Sequence, residues 1–201
     1  GGFRNILISD CVCENTRGIL IGVVDGGVLE DVVVSNIILR NPVNHPLFIR
    51  QAARLRAPEG TTVGACRRVR FDNIQVSGAD GRYPCGVQGI PDAPVMDVSF
   101  SDVHVVSSGG GTAEDAARTP KEKREASLEV SFMGTLPAYG FYGRNVRGLS
   151  LKDCMFDVET PDARPVIVLD DVKDGRIEGF PASGIVQKNG SDVFTSSEPS
   201  R

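Results

Sequence analysis

The stretch RNILISDCVC (4–13) returns as EDVVVSNIIL (30–39), RRVRFDNIQV (67–76), MDVSFSDVHV (96–105) and RGLSLKDCMF (147–156). All five copies fit the pattern x-Φ-x-Φ-x-(D/N)-Φ-x-Φ, where Φ is apolar. The first two apolar sites hold Ile6/Ile8, Val32/Val34, Val69/Phe71, Val98/Phe100 and Leu149/Leu151; the third holds Cys11, Ile37, Ile74, Val103 and Cys154. Strict alternation marks a strand with one buried face. The polar site, Asp10, Asn36, Asn73, Asp102 and Asp153, predicts a bend at which the inward face changes phase, because Asp and Asn tolerate left-handed backbone through local hydrogen bonds. A degenerate sixth copy, DGRIEGF (174–180), keeps Ile177 and Phe180.

The spacing of the copies selects the architecture. Successive phrases lie 26, 37, 29, 51 and 26 residues apart, within the range of stacked arrays. Each spacer holds a second apolar strand: GILIGVV (18–24), PLFIRQ (46–51), CGVQGI (85–90), YGFYGR (139–144) and PVIVLDD (165–171). Two or three short strands per turn without an amphipathic helix predict an all-β parallel β-helix with loop insertions on one face. The coils are expected over 1–190, followed by a polar tail over 191–201. The Asp-Gly pairs do not recur between neighbouring strands as hairpin turns would require. Each coil of such a solenoid covers the next, so an end strand left open is prone to aggregation. The isolated 1–201 chain is accordingly expected to be marginal or sticky.

Composition narrows the function classes. A net charge of −4 gives no broad basic field for nucleic acid. No apolar run reaches the roughly 18–20 residues that a membrane helix needs. The chain opens on Gly1-Gly2 rather than Met and reads as a piece of something longer, with any targeting segment upstream. Five cysteines without CxxC spacing predict buried free thiols rather than a disulfide framework or a zinc site. His45 and His104 sit in unrelated contexts and read as structural. Asp170 and Asp171 point to opposite faces of a strand, and act as an acid/base pair only if the strand bulges.

Two insertions hold the candidate binding groups. In RQAARLRAPEGTTVGAC (50–66), Arg50, Arg54 and Arg56 offer planar forks for an acidic ligand, or else are solvated charges on a short helical turn. In residues 107–144, GGG reads as a flexible hinge and TAEDAAR as a helix start with Thr112 as N-cap and Asp115 closing the box. PKEKRE reads there as a solvated helix face. Tyr139 and Tyr142 suit stacking on sugar faces, or else pack in the core.

Several longer runs resemble a known family: RGILIGVVDGGVLEDVVVSNIILRN (17–41), GTAEDAARTPKEK (111–123), MGTLPAYGFYGRNVRGLSLKD (133–153) and PDARPVIVLDDV (161–172). They resemble the C-terminal half of bacterial glycoside hydrolases of family 28, which includes polygalacturonases and rhamnogalacturonan hydrolases. The resemblance implies a right-handed parallel β-helix, C-terminal coils only, and inverting hydrolysis of pectic glycosidic bonds by aspartates, without a cofactor or metal. The family's marks N-T-D, D-D and G-H-G are absent in their usual settings, so the catalytic carboxylates are expected upstream of Gly1, and this fragment alone is expected to be inactive. The family's R-I-K would fall in GILIGVV, where Leu20 and Gly22 replace the two cations that engage a substrate carboxylate. Either a divergent subgroup reads another sugar, or Arg50, Arg54 and Arg56 substitute. Asp25, beside those positions, suits sugar hydroxyls or a turn. The expected partner is a pectic polysaccharide or oligosaccharide met by a secreted or periplasmic monomer, with no role for nucleic acid or a membrane. The alternative is a non-catalytic carbohydrate- or protein-binding β-helix; a pectate lyase is disfavoured because no Ca²⁺-binding carboxylate cluster is present.

Overall fold

The computed structural model describes residues 1–197. It is almost entirely β, with 56% strand and 5% helix, and its parallel strands curl into a half-barrel, compatible with a β-helix but not closed into a full solenoid.

The strands stack in two rows. The first row holds the repeated phrases: β1 (Gly2–Glu14), β3 (Val28–Arg40), β5 (Ala65–Ala79) and β7 (Val95–Gly109). The spacer strands β2 (Ile19–Val23), β4 (Leu47–Gln51) and β6 (Cys85–Gln88) form the second row. Two long strands, β8 (Phe141–Lys152) and β10 (Ile167–Glu178), belong to both rows: the first part of each extends the second row and the remainder extends the first. Strand β9 (Met155–Thr160) pairs with the end of β7, while β11 (Ile185–Lys188) and β12 (Asp192–Ser196) pair with β10. All of these pairings are parallel.

The expected register is observed: Ile6, Val32, Val69, Val98 and Leu149 are successive partners, and Ile177 of the sixth copy pairs with Leu151. Every predicted bend residue has positive φ: 57° at Asp10, 56° at Asn36, 50° at Asn73, 50° at Asp102 and 51° at Asp153. In β3 the buried positions change from Val32 and Val34 to Ile37 and Leu39 across Asn36, so the left-handed residue does change the phase. Side chains reinforce the bend column. The Asn73 amide donates to Asn36 Oδ1 at 2.9 Å, and the Asn36 amide donates to Asp10 Oδ1 at 3.0 Å.

A second bend column lies five residues earlier, where Asn5, Asp31, Arg68, Asp97, Gly148 and, in the sixth copy, Asp174 all have positive φ. Arg68 is the unusual residue type for such a conformation. Its guanidinium grips Asp31 at 2.7 and 3.0 Å and Glu30 at 2.7 Å.

Inward side chains of both rows meet in one core. Phe71 stacks on Phe100 at a centroid distance of 4.9 Å, and Phe100 meets Phe141 edge-on at 5.0 Å. Cys66, Cys85 and Cys154 are buried free thiols, each pushed up to about 12 by burial. Cys11 is exposed and Cys13 half-buried on the edge strand β1, where Phe3, Leu7 and Val12 are also exposed.

Three expectations are corrected. The stretch read as a tail from 191 continues the stack as β12, because Val193 alternates inward and is buried; residues 198–201 of that stretch lie outside the described residues. PKEKRE is not helical. The predicted capping box does form on α1 (Ala113–Ala116), but the helix stops there and Pro120 follows in irregular backbone. The glycines at 109–111 do not form a loose hinge. Asp162 accepts from the Gly111 N–H at 2.9 Å, and Arg164 donates to the carbonyls of Leu136 and Gly81 at 3.0 and 2.6 Å. Asp162 and Arg164 pair at 2.6 Å, both almost fully buried. One ion pair therefore fastens both roots of the segment between Gly111 and Leu136.

Candidate functional site

The outer face of the second row brings the candidate groups together. Because neighbours along a strand alternate faces, the residues between inward Ile21, Ile49 and Val87 form outward columns. One column is apolar: Leu20, Phe48, Gly86, Tyr142, Val168 and Val186 are successive partners. The next is polar and runs Gly22, Arg50, Gln88, Arg144, Asp170 and Lys188.

The segment between Gly111 and Leu136 lies across both columns as a strap. Val130, Met133, Leu136 and Ala138 pack with Phe48, Tyr142 and Val168 in a second apolar cluster, with Leu20 and Phe132 at its margin. The PKEKRE stretch lies over the polar column, and its backbone carbonyls take up the cations. Arg144 donates to Pro120 O at 2.9 Å, and Arg50 donates to Lys123 O at 2.9 Å. The insertion that follows β4 reaches the same place, where the Ala53 N–H donates to Arg124 O at 2.9 Å. The two long insertions thus leave from different strands and converge on one face.

Beside the strap, at Gly22, a groove of about 600 Å³ opens among Val24, Asp25, Arg54, Pro58 and Leu128. Asp25 and Arg54 line it together as a directly bonded, two-pronged ion pair, with one bond at 2.9 Å. The Arg56 N–H also donates to Asp25, at 3.0 Å. The Arg54 guanidinium beside Asp25 holds its carboxyl down at about 2. The pair is ionised and half-buried at the groove margin.

The six expected site residues therefore separate. Asp25 and Arg54 line the groove, and the Arg56 side chain is exposed next to it. Tyr139 is half-buried against the main core. Arg50 and Tyr142 are each 1% exposed because the strap covers them, which differs from the open placement expected of sugar-contacting groups. The Tyr142 hydroxyl lies near Arg144 without a well-formed hydrogen bond, and burial raises its pKa. Residue types could not reveal this cover, since it is held by backbone oxygens and by residues far along the chain. Gln88 and Arg144 join the site unannounced, and Asp170, singled out in the sequence only as part of an acidic doublet, stands in the same column; the signal was position, each being the strand partner of the one before in successive spacer strands.

Among the described residues, Asp170 and Asp171 do not form a free acid/base pair at this face. Asp170 faces Arg144 at 3.4 Å and accepts from Asn189, while Asp171, with φ 54°, accepts from Arg147 at 3.0 Å. His45 is buried, its Nδ1 lies 2.7 Å from Pro84 O, and burial lowers it to about 4; His104 lies 2.8 Å from Asp157. Among the described residues, no group of three His, Cys, Asp or Glu is placed to hold a metal ion, and no helix is long and apolar enough to cross a membrane.

A lysine at Gly22, as in the family that the sequence resembles, has no room here: a Cβ at Gly22 would lie 1.9 Å from Arg50 O and 2.7 Å from the Leu128 side chain. The first cation of this column stands one strand further on, at Arg50. Compared with known proteins, the chain matches no family model, no curated protein and no solved structure.

Proposed function

We propose that this chain is the C-terminal part of an inverting glycoside hydrolase acting on pectic polysaccharide, and that its stacked strands are coils of a right-handed parallel β-helix. The observation that carries the reading is the groove between the β2–β3 link, the start of β1 and Leu128 of the strap, where the segments after β2 and β4 bring Asp25 and Arg54 together with the Arg56 backbone bonded to Asp25. An ionised carboxylate–guanidinium pair at a groove margin bonds both hydroxyl and carboxylate groups of a sugar chain. The recurrent phrases and their resemblance to family 28 supply the substrate class.

In this reading the chain binds and does not cleave. Inversion uses one protonated carboxyl and one ionised carboxylate about 6.5–9.5 Å apart across the bond. Asp25, Asp170 and Asp171 each have a cationic partner, and the reading assigns the acid and the base to coils that precede this stretch. The same observation favours a second reading, a non-catalytic carbohydrate-binding β-helix. The polymer is extracellular, which places the parent protein in the periplasm or outside the cell. Carboxyl groups suffice for the reaction, so no cofactor is required.

The test is calorimetric titration of the chain with oligogalacturonides and rhamnogalacturonan fragments, alongside an assay for new reducing ends. Binding without hydrolysis is expected, weakened at least tenfold by Arg54→Ala. Absence of binding to every pectic fragment would overturn the reading, and reducing ends released by the chain alone would overturn the placement of the acid and base elsewhere.

A further inference from the structure

Two features limit what the groove at Gly22 can hold. Its volume of about 600 Å³ is that of a small-molecule pocket, about 300–1,000 Å³, and not of a cleft running the length of a row of strands. Among the described residues it also has no continuation along the second row. On the outer face beyond Gly22, Phe48, Arg50, Gln88, Tyr142 and Val168 are each 1% exposed or less beneath the strap.

Leu128 makes the junction between open groove and covered row. A Cβ at Gly22 would lie 2.7 Å from Leu128 Cδ2, so the leucine is seated on bare backbone at the point where the polar column begins. The same leucine is a wall of the groove. The glycine that stands in place of a lysine therefore does more than remove a cation: it gives Leu128 its seat.

Leu128 is held from both sides. Next to it, the Glu129 carboxylate accepts from Arg17 at 2.5 Å and from Asn44 at 2.6 Å, residues of the links that lead into β2 and β4. On its other side, the Arg124 carbonyl accepts from the Ala53 N–H at 2.9 Å, and the Arg124 guanidinium pairs with Asp92. The apolar anchor on Phe48, Tyr142 and Val168 and the buried Asp162–Arg164 pair fasten the remainder. Uncovering the row would require these bonds to break together, which makes the strap a fixed wall.

We infer that Leu128, backed by the strap, is a stop that admits a pectic chain to the groove only by one of its ends. This rests on the pectic reading of the groove and adds to it which part of the polymer is bound, a terminal segment and not an internal one. Selection of the terminus is by shape, at an aliphatic side chain, and needs no charged group.

The experiment titrates the full chain calorimetrically with trigalacturonate, hexagalacturonate and two hexamers altered at one end, the reducing-end alditol and the form unsaturated at its non-reducing end. An internal site gains from length, because a longer chain offers more registers, and is indifferent to both alterations. The terminal site is expected to bind trimer and hexamer within about twofold and to lose roughly tenfold for one altered hexamer while the other binds like the parent. Leu128→Ala deepens the groove, leaves the Glu129 and Arg124 bonds in place, and is expected to erase most of that discrimination; Leu128→Phe is expected to retain it. Affinity rising severalfold from trimer to hexamer, or equal binding of the two altered hexamers, would overturn the stop while leaving the groove assignment intact. Undiminished discrimination in a folded Leu128→Ala chain would overturn the role of Leu128. Failure of every probe to bind would remove the groove assignment, and the stop with it.

Discussion

The two rows of strands share a backbone geometry and a core, yet they face the outside differently. The first row presents serines, charges and a bend column held by Asn–Asn and Asn–Asp bonds, with solvent on its outer face. The second row has shorter strands whose outer face is covered, apolar against apolar and guanidinium against carbonyl. Regular repetition thus goes with scaffold, and irregularity with the face that carries the candidate chemistry. Loops are the physical link. In the early coils, loops separate the rows and leave a groove, whereas a single left-handed residue, Asn145 or Asp171, joins them within β8 and β10.

The strongest test of a shared core is Phe100→Ala. Phe100 contacts Phe71 of the first row and Phe141, which belongs to the second. Removing it is expected to cost about 3–5 kcal/mol, with one denaturant transition seen alike by probes in both rows. Separate transitions would mean that the rows are independent units.

A smaller effect is expected from His45, on the link between β3 and β4. Burial depresses its folded-state pKa from 6.5 to about 4, so the folded chain holds the ring neutral while the unfolded chain protonates it first. Between those values the unfolded state binds more protons, and stability therefore falls as the pH drops from 6.5 to 4. The loss is about 3 kcal/mol across that window, and the chemical-denaturation midpoint should decline accordingly. His45→Phe should flatten this part of the pH profile; an unchanged slope would assign it to carboxylates elsewhere.

The smallest effect separates the two devices of the first row. Asn73→Ala puts a side chain without local bonds at φ 50° and should cost about 1–2 kcal/mol. Asn73→Gly keeps the conformation and loses only the bond to Asn36, so its melting temperature should lie between those of Asn73→Ala and the native chain. An equal loss in both would make the side-chain bond, not the left-handed backbone, the feature that sets the bend.

These contrasts also explain what the sequence disclosed. The phrase, its register and its five bends were legible because Asp and Asn are chemically suited to the conformation and recur at one position. The second bend column was harder to see, since Arg68 and Gly148 interrupt the Asn/Asp pattern; Arg68 is held there by two acidic neighbours from β3. The burial of Arg50 and Tyr142 was not legible at all. Arg50 is covered by the Lys123 carbonyl and the Phe132 ring, and Tyr142 by Val130, Met133 and Leu136, all from a strap distant in sequence, and every residue type carries a carbonyl. Asp25 and Arg54 lie far apart in sequence and meet only because β2 and β4 pair in register.

The buried Asp162–Arg164 pair has one more consequence. It closes the long excursion between Gly111 and Leu136 as a disulfide would, restricting the loop at its base, although none of the five cysteines takes part. A closure of this kind is indifferent to thiol reductants and to the oxidation state of the surroundings. It needs no oxidative maturation, so the strap is in place as soon as the chain has folded, whichever compartment receives it.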